Sequence, residues 1–109
     1  MSAELLAAMP DGGVLINTAR GGLVDHVALE RECVAGRLDA ILDVTDPEPL
    51  PPDSPMLRLP NVFVTPHLAG AMGNETTRLG DAAVTELERL STGCPLLHAI
   101  HRDDLNRIA

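Results

Sequence analysis

Three residues of this chain, Arg20, Glu48 and His67, have the side-chain types needed to move a proton beside an anion. A guanidinium is permanently charged; it can grip a carboxylate through two parallel hydrogen bonds or polarise a carbonyl oxygen. An imidazole gives or takes a proton near neutral pH. A carboxylate beside that imidazole favours its charged form and keeps a proton available. Together the three suit a reaction that makes or removes an alkoxide next to an anionic group, as in reduction of a 2-keto acid. Each also has a plainer reading: Arg20 as a solvated loop cation, Glu48 as a solvated carboxylate between two prolines, and His67 as a loop residue bonded to backbone. Asp43, at the end of an apolar run, reads as a turn cap. His26, His98 and His101 have no partners in the sequence and read as surface residues. No HExxH, P-loop or GxSxG is present, so zinc peptidase, kinase and esterase readings lack support.

The elements that must position these residues are legible from punctuation and periodicity. Ser2 to Met9 reads as a short helix capped by Ser2 and ended by Pro10. Val14-Leu15-Ile16 reads as a fully buried strand that breaks into the polar, glycine-flanked Arg20 loop. A helix follows over Asp25 to Ala35, with Asp25 as N-cap and Gly36 as stop. A second strand is expected at Ala40 to Val44. Then five prolines in the eleven residues Thr45 to Pro55 exclude helix and central strand alike. Met56 to Leu59 fits one helical turn, and Asn61 to Thr65 a third strand. The last long helix spans Asn74 to Leu90, with Leu79, Ala83, Leu87 and Leu90 on one face. Gly80 inside it costs about 1 kcal/mol relative to Ala, which a close helix contact would explain. The stretch from Leu96 to Ala109 is expected to form a short strand and a helical turn.

This alternation predicts an α/β fold, a partial Rossmann-like parallel sheet of about three strands with flanking helices. In such sheets ligands bind outside the carboxyl ends of the strands. Arg20, Glu48 and His67 each follow one of those ends, so the topology is expected to bring them to one rim.

Bulk properties narrow the class. The chain has 109 residues, 45% of them hydrophobic, with one Phe and no Tyr or Trp, so Leu, Val, Ile, Ala and Met must fill the core of about one domain. A net charge of −8 argues against nucleic acid as a partner. No apolar run is long enough for a bilayer, and no basic-then-apolar leader is visible, so no membrane partner and a cytoplasmic location are expected. Cys33 and Cys94 lack metal or CxxC spacing, and both read as reduced, buried thiols. No metal site is expected.

Three ordered blocks, Ile16-Asn-Thr-Ala-Arg-Gly-Gly22, Leu42-Asp-Val-Thr-Asp-Pro-Glu-Pro49 and Val64-Thr-Pro-His-Leu-Ala-Gly70, closely resemble the D-isomer-specific 2-hydroxyacid dehydrogenase family. The likeness runs from about Ala3 to Gly73 and is weaker afterwards, with a glyoxylate/hydroxypyruvate reductase flavour in the second block. The resemblance implies hydride transfer between NAD or NADP and a 2-oxo or 2-hydroxy acid. It implies that Arg20 binds substrate, that His67 is the acid/base and that Glu48 supports His67. It implies that Asp43 approaches the nicotinamide carboxamide, with Thr18, Ala19, Arg20 and the segment His67, Leu68, Ala69 and Gly70 on the cofactor. Residues 1–92 would be the C-terminal half of a dinucleotide-binding domain and 93–109 a tail returning to the substrate domain. Full-length members would be homodimers.

The chain departs from that pattern in length, about a third of the family's, and in having no GxGxxG. Without that glycine turn the pyrophosphate has no cradle. The expectation is a fragment whose isolated form has little dehydrogenase activity. Two other classes compete: a corepressor-like interaction module that keeps the same three residues, and an inactive remnant with an exposed sheet edge.

Overall fold

The structure, a computed structural model, describes residues 1–106. Its elements are α1 (Ala3–Ala7), β1 (Gly13–Asn17), α2 (His26–Val34), β2 (Leu38–Leu42), β3 (Val62–Val64) and α3 (Asn74–Ser91), with 3-10 turns at Gly21–Leu23, Pro55–Leu57 and Arg102–Asn106. The chain divides into two compact units, one of Met1–Gly70 and one beginning at Ala71.

In the first unit the three strands lie side by side in the order β1-β2-β3, all parallel. Gly13 pairs with Leu38, Asn17 with Leu42, and Leu42 with Val64, so all three strands end at the same rim. The expected parallel α/β sheet is therefore present. Helix α1 is capped by the Ser2 hydroxyl, which accepts from Leu5 N, and α2 by the Asp25 carboxylate, which accepts from Ala28 N at 2.9 Å. Gly36 ends α2 with φ of +68°, a conformation that favours glycine.

One face of the sheet carries the core. Leu15, Leu38, Ala40 and Leu42 point inward and meet Leu6, Ala28, Leu29, Cys33 and Met56 from the helices and the Pro55–Leu57 turn. Each buried Leu contributes about 1.5–3 kcal/mol by leaving water. Arg37 ties the α1 end to this layer, donating to Leu6 O, to Met9 O at 2.7 Å and to Glu32 at 2.6 Å. Asn61 does the same for the start of β3 by donating to Cys33 O and Leu38 O.

Several expectations need correction. The first strand is buried on one side only: Leu15 points in, but Val14 is 50% and Ile16 64% exposed. Ile41 and Phe63 also project outward, because within this unit α1 and α2 pack against the opposite face. The second strand begins two residues earlier than expected and ends at Leu42; the Asp43 N–H still donates to Asn17 O at 2.9 Å, while its carboxylate binds the loop after β3. His26, expected at the surface, is 9% exposed in the first turn of α2. Cys33 is buried and Cys94 exposed, both free.

In the second unit α3 spans Asn74–Ser91, close to its expected bounds. Its apolar stripe is visible, with Leu79, Leu87 and Leu90 all more than 60% exposed. A Cβ at Gly80 would meet nothing within 4 Å, so no close contact accounts for that glycine. Beyond α3 the expected short strand is absent among the described residues; a 3-10 turn covers Arg102–Asn106, and residues 107–109 lie outside the described part. No described helix is long and apolar enough to cross a membrane.

Candidate functional site

Three loops leave the common rim. The first, after β1, carries Thr18, Ala19 and Arg20. Asn17, the last inward-facing residue of the strand, spends its side chain on this loop: its Oδ1 accepts from Ala19 N at 3.1 Å and its Nδ2 donates to Arg20 O at 2.9 Å. Gly21 then presses against the second loop. A Cβ there would lie 1.9 Å from Thr45 O and 2.3 Å from Thr45 C, so only glycine lets the two backbones come this close. The Arg20 side chain is exposed, and its Nη1 donates to Ala19 O at 2.6 Å.

The second loop carries Asp43 and Glu48, the third His67 to Gly70. His67 Nδ1 lies 2.7 Å from Glu48 Oε1, both side chains being a little over 40% exposed. The expected His–Glu pair is thus formed across nineteen residues of sequence. His67 has φ of +56°, a left-handed conformation that a bulky residue rarely adopts. Asp43 supplies the compensation. Its Oδ1 accepts from Leu68 N at 2.7 Å and from the Thr65 hydroxyl, and its Oδ2 accepts from Ala69 N at 2.8 Å. The carboxylate therefore fastens the loop on both sides of His67. The Thr65 hydroxyl, then the Ala69 and Leu68 amides and the neighbouring His67, hold the Asp43 carboxyl below the usual carboxylate range despite its burial.

A cavity of about 610 Å³ opens beside this pair, lined by Asp43, Glu48 and His67 with Leu50, Leu57 and Val64 among its apolar walls. The residues brought into contact are Asp43, Thr65, His67, Leu68, Ala69 and Glu48. No hydrogen bond or ion pair joins Arg20 to Glu48 or His67 among the described residues; Arg20 is linked to them through the Gly21–Thr45 backbone contact. Asn17, Gly21 and Thr65 act on the site without having been singled out by side-chain chemistry. A polar residue at the inward end of an apolar strand was the signal for Asn17, and the glycine following Arg20 was the signal for Gly21.

Residues 1–69 match the family described as D-isomer specific 2-hydroxyacid dehydrogenase, NAD binding domain. The chain belongs to this family. Among its relatives, glyoxylate/hydroxypyruvate reductase B of Serratia proteamaculans is 40% identical over 94 residues, covering 85% of this chain and 29% of that protein. D-3-phosphoglycerate dehydrogenase of Archaeoglobus fulgidus is 37% identical over 94 residues, covering 85% of this chain and 18% of that protein. The crystal structure of a D-isomer specific 2-hydroxyacid dehydrogenase from Xanthobacter autotrophicus in complex with NADPH and MES superposes with a TM-score of 0.78 at 38% identity, covering 93% of this chain and 32% of that one. This member of the 2-hydroxyacid dehydrogenase family thus spans less than a third of the length of these relatives. The family and the Rossmann-like sheet expected from the three sequence blocks are both borne out.

The site fits one end of a nicotinamide dinucleotide and not the other. Asp43 Oδ2 receives a single bond and keeps capacity for an amide donor such as a carboxamide. The Leu68 and Ala69 amides are already committed to Asp43. The helix end that follows β1 is unsuited to a pyrophosphate, because the Asp25 carboxylate already caps α2 there.

Proposed function

We propose that this chain forms the nicotinamide and substrate side of a 2-hydroxyacid dehydrogenase site, acting in NAD- or NADP-dependent interconversion of a small 2-oxo and 2-hydroxy acid. The observation that carries this reading is the 2.7 Å His67–Glu48 contact at the rim where the Arg20 loop is locked to the Glu48 loop. Glu48 accepts the Nδ1 proton and so leaves Nε2 of His67 toward the cavity. The cofactor, when bound, supplies or accepts the hydride. Arg20 orients the substrate through its carboxylate, and His67 Nε2 gives the proton to the carbonyl oxygen during reduction or takes it back during oxidation. Asp43, Thr18, Ala19 and the His67–Gly70 segment border the nicotinamide.

The same reading assigns residues 1–92 to the C-terminal half of a dinucleotide-binding domain and 93–109 to a segment leading toward the substrate domain, with a homodimer as the working assembly in the cytoplasm. The end of α3 at Ser91, beside the proposed boundary, supports that division.

A chimera tests the function. The matching segment of the Serratia reductase is replaced by the aligned segment of this chain, and NAD(P)H oxidation is followed with glyoxylate and hydroxypyruvate. The expected result is turnover that falls about 10²- to 10⁴-fold on His67→Ala. A folded chimera with no turnover, or one indifferent to His67→Ala, refutes it.

A further inference from the structure

Asn17 is the single polar residue among the inward-facing positions of the three strands, the others being Leu15, Leu38, Ala40, Leu42, Val62 and Val64. It is 6% exposed, and an amide buried that deeply is costly unless both of its ends are bonded. Both ends are spent on the three residues that follow, the oxygen on Ala19 N and the nitrogen on Arg20 O. Arg20 O accepts a second, longer bond from Leu23 N at 3.3 Å. Thr18 to Arg20 is thus closed between the Asn17 amide at one end and the Gly21–Thr45 backbone contact at the other. The Arg20 guanidinium, by contrast, is exposed and holds no ion pair among the described residues; its one side-chain bond is to the adjacent Ala19 O. Where that long side chain can reach is therefore set by its backbone, and the backbone is set by Asn17.

We propose that Asn17 is the positioning residue of the substrate-binding arginine: its amide fixes the loop from which Arg20 reaches a substrate carboxylate, and Asn17 itself touches no substrate. The inference rests on the reading of Arg20 as the substrate-binding residue. The amide is suited to this task because it offers a donor and an acceptor at once, which neither a carboxylate nor an aliphatic side chain does. The His67 side of the site is held separately. Asp43 N donates to the backbone oxygen of Asn17, a bond that a change of the Asn17 side chain leaves in place, and the Asp43 carboxylate fastens Leu68 and Ala69. Loss of the amide should therefore act on substrate binding and much less on proton transfer.

The test is a double-mutant cycle in the reductase chimera, read as KM and kcat for glyoxylate. Asn17→Ala removes both bonds; Asn17→Asp keeps the size and the acceptor for Ala19 N but lacks the donor to Arg20 O. Either change should raise KM about tenfold with kcat within roughly threefold of the parent, and should add little once Arg20→Lys is present. Effects that add fully to Arg20→Lys, a loss in kcat alone, or an unchanged KM in both variants overturn the proposal and leave the dehydrogenase reading standing. Turnover indifferent to Arg20→Lys removes Arg20 from substrate binding and the proposal with it. Amide hydrogen exchange on the full chain supplies the local readout: in Asn17→Ala the Ala19 N–H should exchange at least about tenfold faster, with Ala40 N–H, bonded to Asn61 O, unchanged. Equal loss of protection at Ala19 and Ala40 in both Asn17 variants means a general structural role and also overturns it.

Discussion

Gly21→Ala is the sharpest perturbation of the rim. The added methyl would sit 1.9 Å from Thr45 O, 2.3 Å from Thr45 C and 2.9 Å from Asp46 N, all backbone atoms that cannot rotate aside. Relief requires the Arg20 loop and the Thr45–Asp46 backbone to separate by more than 1 Å. Overpacking of this kind costs typically 1–3 kcal/mol, and a clash with backbone belongs at the upper end, about 3 kcal/mol. For a unit of this size that lowers Tm by roughly 10 °C or more. Gly22→Ala is the matched control, since its Cβ would find only Asp46 Oδ2 at 3.9 Å, an ordinary contact; its effect should stay within about 0.5 kcal/mol. With no Trp or Tyr in the chain, urea unfolding is best followed by far-ultraviolet circular dichroism. Equal midpoints for the two variants would falsify the claim that Gly21 locks the loops together. In the reductase chimera the same variant should lose turnover through displaced Arg20, even where the protein remains folded.

Three further outcomes follow from other contacts. Because the folded Asp43 carboxyl titrates below its ordinary value of 3.8, its contribution to stability is complete above that pH and disappears as pH falls through the lower folded value. Asp43→Asn should therefore flatten the acid limb of a stability–pH curve measured by chemical denaturation; an unchanged limb speaks against the clamp. Asn61→Ala removes two donors to Cys33 O and Leu38 O, at 2.9 and 2.8 Å, and should lower stability by about 2 kcal/mol, read as a shift in the urea midpoint. In the chimera, Arg20→Lys should raise KM for the oxo acid at least tenfold while kcat changes less, because a lysine has no two-pronged fork for the carboxylate; a pure kcat effect would remove Arg20 from substrate binding.

How far the sequence discloses this arrangement depends on the range of each signal. Caps and stops act within a few residues, so Ser2, Asp25 and Gly36 mark their helices correctly. The three strands and their parallel sense follow from apolar runs separated by crossovers, and the common rim follows from that sense. The His67–Glu48 pair was readable only because both lie just beyond strand ends. Burial by face was not readable. Val14-Leu15-Ile16 is apolar throughout and gives no sign that only Leu15 enters the core, while His26 looks solvated beside Asp25 although the proline-rich loop folds over it. The Asp43 clamp was hidden for a similar reason: a carboxylate bound to amides twenty-five residues away leaves no local pattern.

The outward face of the sheet has a thermodynamic consequence. Within the Met1–Gly70 unit, Val14, Ile16, Ile41 and Phe63 stay in contact with water after folding. The heat-capacity increase on unfolding comes chiefly from newly wetted apolar surface, and globular chains show about 12–15 cal/mol/K per residue. Much of this unit's apolar surface is wet in both states, so calorimetry of the unit should return a value well below that range. Its stability curve should be correspondingly shallow, with cooling and warming changing the free energy of unfolding less than in a fully enclosed domain of equal length.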